Sequence, residues 1–137
     1  MNDPEIPRVA KLSDRDFTLG LLSSLLLRGT TSISTIDGQH QQRFRRVIEV
    51  VNGRIAEGDK SVTRMPKFFP GPITGEFYEF DEQLIRLQDI EVTQCIGPYF
   101  VEVSLVESVE RASKRLERKF EPEERQLFDD LAAAFTS

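Results

Sequence analysis

A chain of 137 residues with 30% charged and 39% apolar residues has the length and composition of one globular domain with its own core. The formal net charge of −5 provides no bulk attraction to phosphate backbones, so nucleic-acid binding is not expected. Cys95, the single cysteine, cannot form a disulfide within the chain, and no apolar run, such as the three leucines at 25–27, is long enough to span a membrane.

The N-terminal segment, 1–12, is predicted to be a flexible arm, because Pro4 and Pro7 interrupt any helix. Acidic residues and prolines stand where a signal peptide has a basic and then an apolar run, so we expect a cytoplasmic protein. Residues 13–137 are predicted to form a single globular domain.

A first helix over 13–28 is predicted from a capping pattern and an apolar stripe. Ser13 can accept a hydrogen bond from the amide of residue 16, and the Asp16 carboxylate can bond back. The stripe, widened by two further leucines, is apolar on more than one side. Such a helix is buried either in a core or in an interface between copies of the chain. The stripe residues are Phe17, Leu19, Leu21, Leu22, Leu25, Leu26 and Leu27.

The segment 30–56 has two interpretations. Residues 30–36 are rich in β-branched side chains, which is typical of a short strand or an extended linker. Apolar residues at 44, 47, 48, 51 and 55 have the helical period and predict a helix over 38–56. The alternative is a β-meander, since Asp37-Gly38 and Asn52-Gly53 are both pairs that favour tight hairpin turns. The helix is preferred, because strict alternation of apolar and polar residues fails twice within the segment.

The proline-rich stretch 62–73 is predicted to be a connecting loop, anchored in the core by Phe68 and Phe69. A third helix is predicted over 75–88, with Thr74 as its N-cap. Residue 76 is acidic, which suits the positive end of the helix dipole.

Two strands, 90–96 and 99–106, are predicted from their β-branched and aromatic content. Gly97-Pro98 separates them and is a poor tight turn, because proline cannot adopt a positive φ, so a wider connection is expected. Alternatively, Pro98 begins one long helix whose apolar stripe continues as far as Phe120.

Helices over 108–120 and 122–135 complete the predicted elements. Glutamate and a basic residue stand four apart at 107 and 111 and again at 110 and 114, which is ion-pair spacing on a helix. Pro122 followed by two glutamates is typical of a first helical turn. The predicted fold class is therefore α+β, with about five amphipathic helices and a small antiparallel sheet; an all-α helical bundle is the alternative.

His40 is the only histidine and the first candidate for a functional site. Asp37, three residues earlier, could orient its imidazole for general-base catalysis. Neither a nucleophile elbow nor a Gly-rich phosphate loop accompanies it. A pocket near His40 would have Asp37, Arg43 or Tyr99 within reach. Arg43 and Arg46 share a helix face and form a basic patch that could bind an acidic partner.

The run Ile36-Asp37-Gly38-Gln39-His40, followed by Phe44, resembles the opening helix of hemerythrin-like proteins. The resemblance implies that His40 would be an iron ligand. The family's metal site draws further histidines from other helices, whereas this chain has only one. Metal binding is therefore the weakest of the hypotheses, and no cofactor is predicted.

The leading hypothesis is a non-catalytic protein–protein interaction or assembly module, homo-oligomeric, because the apolar stripes exceed what one small core needs. The second is a small-molecule-binding protein or enzyme with a pocket near His40. The third is a metal-binding helical protein. A protein partner or self-association is thus expected, without nucleic acid or membrane.

Overall fold

The computed structural model describes residues 10–98 and 101–137. This part of the chain forms a three-stranded antiparallel sheet and five α-helices, which confirms the α+β class and excludes the all-helical bundle. The helices are α1 (Asp14–Leu27), α2 (His40–Ala56), α3 (Tyr78–Arg86), α4 (Val109–Lys119) and α5 (Pro122–Thr136). The strands are β1 (Ser32–Ser34), β2 (Thr93–Ile96) and β3 (Glu102–Leu105), and single 3₁₀ turns span Lys60–Val62 and Leu87–Ile90.

The sheet has the order β1-β3-β2, with β3 in the centre. Ile33 lies opposite Val103 on one side of β3, and Cys95 lies opposite the same valine on the other. The 30–36 segment is thus a strand in part, and the strand β3 excludes a long helix from Pro98. The second predicted strand began at 99, but residues 99 and 100 lie outside the described residues.

Two predicted boundaries were wrong in the region of α3. The helix begins at Tyr78 rather than at 75, and Thr74 does not cap it; its hydroxyl instead lies 2.7 Å from the Tyr78 hydroxyl. The strand β2 begins at Thr93 rather than at 90, because the chain first makes a 3₁₀ turn and Glu91 adopts a positive φ of 60°. In contrast, α2 is helical as preferred, and no β-meander forms there.

The core is centred on α1, which packs against α3, α4 and α5. Nearly all of its apolar side chains are buried within this one chain, and only Leu27 is exposed. Gly20 of α1 lies directly beneath the Phe128 ring of α5, which brings these two helices close together.

Two residues predicted to be buried are not. Phe68 packs against the rings of Phe17 and Phe44, but its neighbour Phe69 is 68% exposed, so only one member of the predicted pair anchors the loop. Ile55, the last residue of the α2 stripe, is exposed as well.

The packed domain extends N-terminally to residue 12. Leu12 is buried, and its amide donates to the carbonyl of Arg64 over 2.7 Å. Residues 1–9 of the predicted arm lie outside the described residues. In 10–98 and 101–137, no helix combines the length and apolar character that crossing a membrane requires.

Candidate functional site

A cleft of about 410 Å³ opens beside the N-terminus of α2. The loop from β1 to α2, the first turn of α2, the exposed side of α3 and the centre of β3 surround it. Its polar side chains are Thr35, His40, Gln41, Glu76 and Asp81. Its apolar walls are Ile36, Leu84, Ile85 and Val103, and Gly38 lies at its edge. It therefore joins several convergent polar groups to an apolar surface.

His40 is held rigidly at this cleft. It is the first residue of α2, is only 6% exposed, and its ring stacks on that of Phe80 with centroids 5.8 Å apart. Its Nε2 atom lies 2.5 Å from Oδ1 of Asp81, which belongs to the first turns of α3. The two helices thus meet through an imidazole–carboxylate pair.

Gln41 completes the link between α2 and α3. Its side-chain nitrogen donates to the second oxygen of Asp81 over 3.1 Å. Its side-chain oxygen accepts from the amide of Phe77 over 2.8 Å, at the residue preceding α3. This bond satisfies one of the amides at the helix start, which explains why α3 begins there without a side-chain cap of its own. Both oxygens of the Asp81 carboxylate are thereby fixed in position.

The other ring nitrogen of His40, Nδ1, is buried and has no hydrogen-bond partner among residues 10–98 and 101–137. Since Asp81 accepts from Nε2, a neutral ring carries its proton on Nε2 and leaves a lone pair on Nδ1. A buried acceptor without a donor is uncommon in folded proteins.

The charged residues that line the described part of the cleft are all acidic. Asp81 and Glu76 contribute carboxylates, and no lysine or arginine lines it. Further acidic residues lie on α3: burial, together with the charges of Glu79 and Glu82, raises the pKa of Asp14. The charged side chains that the structure shows at the cleft are thus two carboxylates.

The described site residues that the sequence predicted do not form the pocket expected around His40. Asp37 does not orient His40; it pairs with Arg43 and accepts from the amide of Gln39, and these contacts hold the pKa of Asp37 below its usual range. Arg46 donates to the carbonyls of residues 134, 135 and 137 and so gives hydrogen-bond partners to carbonyls at the C-terminal end of α5. Tyr99 lies outside the described residues.

Sequence reasoning missed Asp81, Gln41 and Glu76. Asp81 lies 41 positions beyond His40, and an acidic residue in a first helical turn is explained by the helix dipole alone. Gln41 is next to His40, but an ordinary polar residue in an amphipathic helix gives no signal of its role.

The other candidate chemistries are not found at this site. Cys95 lies on β2 and not in the cleft, and partial burial raises the pKa of its thiol. Within the part of the chain that the structure describes, no three histidine, cysteine or carboxylate side chains converge as metal ligands would. No protein-family model matches this chain, and no curated protein or solved structure is significantly similar to it.

Proposed function

We propose that this protein binds a small organic molecule in the His40 cleft. The observation that carries the proposal is the buried Nδ1 atom of His40, which has no partner among the described residues. Leaving a buried polar atom without its hydrogen bond costs about 1–3 kcal/mol. His40 lines the cleft, and an uncompensated cost of this kind at a residue that lines a cleft is typical of a functional site rather than of a purely structural histidine.

The size and preorganisation of the cleft support the same proposal. Its volume of about 410 Å³ is within the usual range of small-molecule pockets, roughly 300–1,000 Å³. His40 and Asp81 are already fixed by Gln41 and Phe80, so binding would order few side chains.

Binding is proposed rather than catalysis because the cleft offers few reactive groups. A histidine–carboxylate pair can act as a general base, but it requires a nucleophile or a positioned water. In the described ranges neither a serine nor a cysteine lines the cleft, and its hydroxyl-bearing side chain is that of Thr35, on the loop between β1 and α2.

The test is an amide-shift NMR screen of the ¹⁵N-labelled protein against a fragment library. Fragments should shift the amides of Gly38, Gln41 and Asp81. The variant Ile85→Trp should block these shifts, because Ile85 forms a partly exposed wall of the cleft and a larger side chain would fill it. Ile55→Trp, at an exposed position of α2 that does not line the cleft, should bind as wild type. A screen in which no fragment shifts the cleft amides would overturn the proposal.

A second candidate function is self-association through the segment 69–78. Three large side chains of this segment, Phe69, Ile73 and Tyr78, are more than half exposed. Exposed apolar groups close together in sequence are typical of interaction surfaces. The surplus of apolar helix surface no longer supports assembly, since α1 is buried within one chain.

Light scattering tests this candidate. The wild-type protein should be a dimer, and the double variant Phe69→Ser, Ile73→Ser should be a monomer. A strictly monomeric wild type would exclude self-association through the segment 69–78.

A further inference from the structure

We infer that the ligand of the His40 cleft is a cationic amine with a short apolar body. This inference rests on the proposed function and specifies the chemistry of the ligand. It is carried by the juxtaposition of the Glu76 and Asp81 carboxylates with apolar walls in one cleft, which the half-satisfied His40 ring also lines.

The Glu76 carboxylate is the first reason to expect a cation. Glu76 is half-buried, and its carboxylate forms neither an ion pair nor a hydrogen bond with the described residues, although its backbone does. A partly desolvated carboxylate without a counter-ion gains more from a cation than an exposed one does.

Asp81 can contribute a second acceptor in the same cleft. Its oxygens accept from His40 and Gln41, yet its side chain remains 37% exposed. Since a carboxylate offers about four lone-pair sites, two remain for a ligand.

The neighbouring cations do not neutralise these carboxylates. Arg43 is paired with Asp37, and the guanidinium of Arg45 donates to the carbonyl of Gly75, the residue before Glu76. Neither arginine lines the cleft. The charged side chains of the cleft, Glu76 and Asp81, therefore carry a net negative charge.

An ammonium group matches the acceptors of the cleft. It has three N–H donors and no acceptor, whereas the ionised carboxylates of Glu76 and Asp81 have only acceptors to offer. A carboxylate or phosphate ligand would instead face like charges, which is unfavourable. The apolar body of the ligand would contact Leu84, Ile85 and Val103.

The experiment titrates wild-type protein with benzylamine, benzyl alcohol and benzoate, three probes of similar shape that differ in charge, and follows the cleft amides by NMR. Benzylamine should bind about fivefold more tightly than the alcohol, as expected of a half-exposed ion pair, and benzoate should not bind. Glu76→Gln should remove most of that fivefold preference and leave alcohol binding unchanged. Glu49→Gln, which removes an equal charge from an exposed position of α2 outside the cleft, should not.

The outcomes separate this inference from the proposed function. If the alcohol or benzoate binds as tightly as benzylamine, or if Glu76→Gln leaves the preference intact, the cationic class is overturned while the cleft remains a binding site. If none of the three probes binds, the cationic class is also overturned, and the fragment screen decides separately whether the cleft binds anything.

Discussion

At the scale of single residues, the ion pair between Arg64 and Glu124 ties the loop after α2 to the start of α5. Glu124 is buried, and its oxygens accept from the Arg64 guanidinium at 2.7 and 2.8 Å and from the Glu121 amide at 2.9 Å. Burial alone would raise the pKa of Glu124, but the bonds from Arg64 and Glu121 and the charge of Arg64 together lower it. Because the folded-state pKa is lowered, the ionised pair stabilises the fold above the ordinary carboxyl pKa and loses this effect as the pH falls through the folded value.

We expect Glu124→Gln to reduce the free energy of unfolding by about 1–3 kcal/mol at neutral pH, since it leaves the Arg64 and Glu121 donors poorly satisfied. The loss should shrink as the pH falls through the lowered pKa of Glu124, where wild type loses the same interaction. Urea denaturation at several pH values measures both effects. Glu123→Gln, at the exposed neighbouring position, is the control, and an equal effect there would contradict the role of the pair.

Cys95 provides a second prediction at this scale. Because partial burial raises the pKa of its thiol, the reactive thiolate is scarcer in the folded protein than in the unfolded chain. Alkylation by iodoacetamide at pH 8 should therefore be several-fold slower in the native protein than in denaturant. Equal rates would mean that Cys95 is freely accessible.

At the scale of elements, the contact between α1 and α5 depends on Gly20. A Cβ atom built at Gly20 would lie 2.5 Å from the Phe128 ring, which no ordinary contact tolerates. Alanine gains about 1 kcal/mol over glycine in helix propensity, but overpacking a core costs about 1–3 kcal/mol. The close approach of the two helices thus requires glycine, a residue with poor helix propensity, at position 20.

Gly20→Ala should therefore lower the Tm, with a net loss of up to about 2 kcal/mol. Gly53→Ala in α2 is its matched control, because no atom lies within 4 Å of the added Cβ. That variant should instead stabilise the protein by about 0.5–1 kcal/mol through helix propensity. Calorimetry of both variants checks the pair; a stabilised Gly20→Ala would show that the two helices can separate without cost.

Elements whose boundaries depend on local chemistry could be predicted from the sequence. Ser13 and Ser108 cap α1 and α4 as side-chain acceptors, and Pro122 opens α5 with a capping box. The start of α3 could not be predicted, because the amide of Phe77 is satisfied by Gln41, a residue of another helix. The sequence near Thr74 favours a helix N-cap at that residue. The tertiary contact between Gln41 and the amide of Phe77 overrides this preference, and α3 begins at Tyr78.

At the scale of the whole molecule, only part of the candidate site could be predicted from the sequence. His40 could be identified as the only histidine near a helix start, but its carboxylate partner was assigned to Asp37 by proximity in sequence. The folded chain brings Asp81 to His40 instead and leaves Asp37 to Arg43. A contact between residues on separate helices leaves no spacing pattern in a single sequence.

The fold also explains how the apolar stripe of α1 is buried. The stripe of α1 is covered by α3, α4 and α5, and the His40 cleft and the exposed segment 69–78 lie outside this packed core. Of these, the cleft carries convergent polar groups and is the better candidate for function.

The most direct test of the His40 cleft is ring-nitrogen NMR of the imidazole, which is unambiguous because the chain contains one histidine. Titrating the tightest fragment should shift the His40 ring-nitrogen resonances saturably, because the ring lines the cleft, while Nε2 keeps its bond to Asp81. If that fragment saturates the protein and neither ring-nitrogen resonance moves, the ligand binds elsewhere and the account of this cleft is wrong.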